Sequence, residues 1–192
     1  MTPAEEDRKI LVTYYSRTGV TRKAAERMAE LLRESSGVNV TLEEISDTKK
    51  RAGVSGWLSG GRDAGLRRKT TIDRPDTDPS EFDLVVVGSP VWAFTMCPAI
   101  RTFLEDCSGS LRNAAFFCTL RGSGASQTLS DMQEVSGVRA LATLSLIDRN
   151  VRKESRQDYQ EPVEGFVGNM LGGMARGGTP GTDGEAGSSV SG

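Results

Sequence analysis

An apolar run rich in β-branched and aromatic residues, Lys9 to Tyr15 (KILVTYY), passes directly into Ser-Arg-Thr-Gly-Val-Thr and then into a segment of helical period. In that segment Val20, Ala24, Met28, Leu31 and Leu32 recur at spacings of three and four, which places them on one stripe facing a sheet. Gly37 follows, as expected of a glycine closing the helix. A buried strand entering a helix through one short polar turn constrains the fold more than any other feature.

The rest of the chain repeats the alternation. Val38 to Leu42 alternates apolar and polar, the pattern of a half-covered edge strand, whereas Leu84 to Gly88 (LVVVG) is continuously apolar and suits burial on both faces. Further strands are predicted at Ala114–Leu120 and Leu141–Ile147. Helices are predicted from Pro98 (Ile100, Phe103, Leu104, Cys107), over Gln127 to Val135, and from Pro162 (Val163, Phe166, Val167, Met170, Leu171). Five strands alternating with helices call for a parallel sheet with right-handed crossovers, a doubly wound α/β domain whose site lies outside the carboxyl ends of the strands.

Composition narrows the chemistry. The 192 residues contain no histidine, which excludes Ser/His/Asp and Cys/His nucleophile systems and histidine-ligated metals. Cys97, Cys107 and Cys118 lack the number and spacing of a disulfide framework or a zinc site and read as reduced, packed thiols, with Cys97, on a loop, the one placed for exposure. A net charge of −2 does not favour nucleic acid as a partner. The polar opening MTPAEEDRK and the lack of a membrane-spanning apolar run lead to the expectation of a cytoplasmic protein.

Ser16-Arg17-Thr18-Gly19-Val20-Thr21 carries the strongest chemical signal. Backbone N–H groups of a tight turn, the positive end of a helix dipole and three hydroxyls make a seat for a phosphate. A Walker loop or a dinucleotide fingerprint would need residues absent here, so a terminal monoester phosphate is the better match; an ordinary capped strand-to-helix turn is the alternative.

This hexapeptide after KILVTYY resembles the phosphate loop of the flavodoxin family, whose pattern is Ser/Thr-x-Ser/Thr-Gly-x-Thr. Gly88-Ser89-Pro90-Val91-Trp92-Ala93-Phe94-Thr95-Met96 resembles the first flavin loop of flavodoxin-like proteins, and Thr119-Leu120-Arg121-Gly122-Ser123-Gly124-Ala125 the second. The resemblance implies a five-stranded sheet in the order 2-1-3-4-5 and FMN as cofactor. It assigns the phosphate to Ser16–Thr21, the isoalloxazine edge to backbone from Pro90 to Thr95, and the other side to Thr119–Gly124. Trp92 is then the candidate to stack on the flavin, a contact worth ~0.5 to 1.5 kcal/mol beyond area burial; its alternative role is a packed loop anchor.

The second loop offers no aromatic ring, so a nicotinamide or quinone has room to stack there, and the charge of −2 gives little steering toward a basic protein partner. Both point to an FMN-dependent oxidoreductase taking electrons from NADH or NADPH and passing them to a quinone or similar small acceptor. A one-electron carrier between proteins and a flavin-free binding module are the alternatives. Arg121 is placed to meet a pyridine nucleotide or anionic acceptor. The resemblance also allows a homo-oligomer that completes the flavin site from a neighbouring chain.

Two segments stand apart. The basic insert of residues 46–82, with Lys49, Lys50, Arg51, Arg62, Arg67, Arg68 and Lys69 against Asp63, reads as a solvated face or an attractor for NADPH phosphates or an acidic partner. The domain is taken as residues 1–171, and the Gly-rich tail 172–192 as disordered.

Overall fold

The computed structural model describes residues 8–46, 72 and 76–176. Strands β1 (Arg8–Tyr14), β2 (Val38–Glu44), β3 (Leu84–Trp92), β4 (Thr95–Met96), β5 (Ala114–Leu120) and β6 (Ala140–Ile147) alternate with helices α1 (Val20–Arg33), α2 (Pro98–Asp106), α3 (Ala125–Ser136), α4 (Asp148–Lys153) and α5 (Glu161–Ala175). A 3-10 turn at Pro79–Glu81 precedes β3, and a π-helical turn at Arg156–Gln160 leads into α5.

Five strands pair in parallel in the order β2-β1-β3-β5-β6, which is the expected 2-1-3-4-5 once the extra short strand is set aside. The extra strand, β4, is a correction to the expected count. It runs antiparallel to the end of β3, with Val91 opposite Met96 and Trp92 opposite Thr95, so the first predicted flavin loop is a tight hairpin.

Alternation along the strands sorts the core into two layers. Ile10, Val12 and Tyr14 of β1, with Leu84 and Val86 of β3 and Phe117 of β5, meet the stripe of α1 and the apolar side of α5. Leu11, Val85, Val87 and Phe116 face the opposite way and pack with Ile100, Phe103 and Leu104 of α2 and Met132 of α3. The run LVVV is wholly buried because β3 is central and covered on both sides. Gly88 is required where it stands: a Cβ there would lie 2.1 Å from a ring carbon of Phe117, its register partner on β5.

Several local expectations shift. Helix α1 closes at Glu34 in a right-handed conformation, and Gly37 instead supplies φ +68 for the turn into β2. Helix α3 is longer than expected, because it begins immediately after Gly124. Helix α5 continues to Ala175, past the composition change at Leu171, and buries Gly173. Cys97 is wholly buried rather than exposed, since it ends the hairpin and its N–H donates to Ser89 Oγ at 3.0 Å. The basic residues of the insert and the tail beyond Arg176 lie outside the described residues. No helix among the described residues is long and apolar enough to cross a membrane.

Candidate functional site

The carboxyl ends of β1, β3, β5 and β6 surround one crevice of about 200 Å³. The turn after β1 contributes Arg17, Thr18 and Thr21, the end of β3 contributes Pro90, Val91 and Trp92, and the end of β5 contributes Thr119, Leu120 and Arg121. Nine of the sequence-derived positions therefore meet at one place. Asp148, at the tip of β6, lines it as well.

The floor is built by the turn into α1. Gly19 stands at the helix N-terminus with φ +81, a left-handed conformation that glycine adopts without steric cost. The helix start has no side-chain cap and no acidic residue in its first turn, so its free N–H groups keep their partial positive charge. The Ser16 hydroxyl is buried and has no hydrogen-bond partner. An unsatisfied buried hydroxyl costs about 1 to 3 kcal/mol, and an oxygen-rich anion in the turn would relieve it. These features fit the phosphate of FMN. Thr21 Oγ1 and Thr119 Oγ1 lie 2.8 Å apart and tie this turn to the tip of β5.

The wall is apolar and aromatic. Trp92 is half-buried; Tyr15 meets it edge-on with ring centroids 5.6 Å apart, and the Arg17 guanidinium lies 5.4 Å from its ring centre. A cation over an indole face is itself an attractive contact, so Trp92 anchors the phosphate turn to the first loop as well as lining the crevice. Opposite, Arg121 is 82% exposed and its Nε lies 3.6 Å from an Asp148 carboxylate oxygen. Two guanidinium groups against one carboxylate leave the lining with a positive balance.

Not every predicted residue faces the crevice. Val20 is buried in the layer beneath α1, and Thr95 is turned inward, donating to Asp131 Oδ2 at 2.5 Å. Ala93 and Phe94 form the hairpin tip with φ +48 and +64, and the Phe94 side chain is 65% exposed. Gly122 and Ser123 are exposed outside the lining. Gly124 lies behind the tip at φ +102, where a Cβ would come within 2.8 Å of the Phe94 Cα, so the two loops touch through backbone.

Sequence reasoning missed Asp148, Ser89 and Tyr15. Asp148 follows a predicted strand at its carboxyl end, the position the topology marks for a site. Ser89 Oγ accepts from the Cys97 N–H and donates to the Pro90 carbonyl, both at 3.0 Å, and so holds the hairpin at its root; a hydroxyl within a buried apolar run was the available signal.

Comparison with known proteins agrees with this geometry. A family model described as flavodoxin matches residues 9–163. Among solved structures, a flavoprotein from Lactobacillus acidophilus determined in complex with FMN aligns with TM-score 0.60 and 24% identity, over 76% of this chain and 97% of that one. Oxidised flavodoxin 1 from Bacillus cereus aligns with TM-score 0.50 and 13% identity, over 85% and 97%. An NADH:FMN oxidoreductase in its apo form aligns with TM-score 0.55 and 14% identity, over 86% and 89%. These structures share the fold; the family match spans most of the chain and its loops, and the chain belongs to the flavodoxin family.

Proposed function

We propose that the crevice binds FMN and that the protein is an oxidoreductase taking electrons from NADH or NADPH and delivering them to a quinone or similar small acceptor. The observation that carries the reading is the buried, unpartnered Ser16 hydroxyl beside an uncapped helix N-terminus, set against an aromatic wall. FMN, when bound, supplies the hydride and electron chemistry, which needs no histidine from the protein.

The chain's own residues do the binding and orienting. Ser16, Thr18, the N–H groups around Gly19 and Thr21 hold the phosphate. Pro90, Val91 and Trp92 exclude water along one side, while Thr119, Leu120 and Arg121 stand on the other. The positive balance of Arg17 and Arg121 over Asp148 favours an anionic co-substrate, as a pyridine dinucleotide is. The Thr119–Gly124 turn has no aromatic side chain, which leaves room for a flat second ring. An NADH:FMN oxidoreductase built on the same fold makes this activity compatible with the architecture.

The test is anaerobic mixing of FMN-loaded protein with NADH and, separately, NADPH, following flavin absorbance at its visible maximum. Bleaching much faster than for free FMN supports the reading. A rate equal to that of free FMN contradicts it and favours a carrier that exchanges electrons with proteins.

A further inference from the structure

Beneath the hairpin that carries Trp92 lies a polar group that the crevice itself does not use. Thr95 of β4 donates its hydroxyl proton to Asp131 Oδ2 at 2.5 Å, and Arg101 Nη2 donates to Thr95 Oγ1 at 3.1 Å. Arg101 Nη2 is 3.8 Å from the same carboxylate oxygen, and Gln127 donates to Asp131 Oδ1 at 2.7 Å. Arg101 of α2 is 4% exposed and Asp131 of α3 is 1% exposed. A threonine from the hairpin is thus inserted into an ion pair that bridges two helices.

Net stability is not what a buried ion pair ordinarily contributes. Desolvating two ions is costly, and well-packed apolar residues in the place of such a pair are commonly neutral or stabilising. What an ion pair with fixed hydrogen bonds provides is a single geometry. That matters here because the hairpin is strained: Ala93 and Phe94, neither of them glycine, both have positive φ, and such a turn persists only where its surroundings over-determine it. Three contacts do so. Ser89 holds the root of β3 to Cys97, Gly124 packs its backbone against Phe94, and Thr95, the register partner of Trp92, is held by the ion pair.

We infer that Thr95, Arg101 and Asp131 are positioning residues: through the β4 strand they hold the hairpin, and with it Trp92, in the orientation that shapes the first-loop wall of the crevice before any cofactor enters. The consequence for FMN rests on the function proposed above, whereas the consequence for the hairpin does not. None of the three acts on the reacting atoms.

Thr95→Val keeps the shape and removes the link, Thr95→Ser keeps the link, and the double variant Arg101→Met with Asp131→Leu replaces the ion pair by apolar volume, so that folding is retained even if single charge removal is not tolerated. Each is made in a Trp57→Phe background, so that emission reports Trp92 alone. In the cofactor-free protein, Thr95→Val and the double variant should shift the Trp92 emission and speed amide hydrogen exchange from Trp92 to Met96 by about tenfold or more, with Thr95→Ser close to the parent. FMN affinity, measured by flavin fluorescence quenching, should fall by about tenfold in the first two and recover in Thr95→Ser. Unchanged emission and exchange in both disrupted variants would overturn the inference, as would FMN affinity within twofold of the parent. If the parent itself fails to bind FMN, the proposed function falls, and the emission and exchange results still decide the positioning role.

Discussion

The hydroxyls of Thr21 and Thr119 are buried and lie 2.8 Å apart, joining the first turn of α1 to the tip of β5 across 98 residues of chain. This bond couples the floor of the crevice to its far wall. Thr119→Val leaves the Thr21 hydroxyl buried without its partner, and an expected loss of about 1 to 2 kcal/mol should appear in urea denaturation. Replacing both threonines by valine removes both polar groups and should recover most of that stability, because nothing unsatisfied remains. FMN affinity should not recover with it, since Thr21 is also lost from the phosphate turn. The double-mutant cycle checks both outcomes.

Ser16 gives the opposite sign. Its hydroxyl is buried and unpartnered, so Ser16→Ala should leave the cofactor-free protein equally stable or more stable by up to ~1 kcal/mol. The same change should weaken FMN by about tenfold and riboflavin, which has no phosphate, hardly at all. Titration of the variant with both ligands, alongside thermal denaturation without ligand, separates this from a packing defect.

Gly124 is constrained twice, by φ +102 and by the 2.8 Å approach of a Cβ to the Phe94 backbone. Gly124→Ala should cost about 2 to 4 kcal/mol and separate the two loops, lowering FMN affinity. Gly122 has nothing within 4 Å of a built Cβ and no positive φ, so Gly122→Ala should lie within ~0.5 kcal/mol of the parent. Chemical denaturation of the pair checks the contrast.

How far the site was legible in the sequence depended on whether the signal was local. KILVTYY followed by SRTGVT, and the run LVVV, are patterns whose physics is contained in a few residues, and they led to the buried strands β1 and β3 and to the turn into α1 that lines the crevice. The β3–β4 hairpin was not legible, because Ala93-Phe94 lacks the Asn-Gly or Asp-Gly signature of a tight turn, and tertiary contacts impose its geometry instead. Asp131 and Arg101 were passed over for a related reason: charged residues ordinarily read as surface, and their burial follows from a pairing between two different helices, α2 and α3. The packing expected of all three cysteines holds, and the same hairpin is why it extends to Cys97.

Burial pushes the Tyr159 phenol up to about 12, from an ordinary value of 10. The folded state therefore keeps this proton at pH values where the unfolded chain has lost it. Its contribution to stability is complete below pH ~10 and is lost as pH rises through about 12. Tyr159→Phe should flatten the alkaline fall in stability over that window, as measured by denaturation at a series of pH values. Equal slopes for the two proteins would count against the burial of this group.

Cys97, Cys107 and Cys118 are all buried, and desolvation pushes the thiols of Cys107 and Cys118 up to about 12. At pH 8 the folded protein should therefore react with a thiol reagent only as fast as it opens, while all three groups should react promptly in denaturant. A thiol that reacts promptly in the folded protein would contradict the packing described for it.

The central claim is that the strand tips around Ser16, Trp92 and Thr119 form an FMN site, and titration of cofactor-free protein with FMN and with riboflavin tests it most directly. One equivalent of FMN should bind with Kd of about 1 μM or tighter, and riboflavin at least about tenfold more weakly. No saturable binding, or equal affinity for the two flavins, would contradict the account.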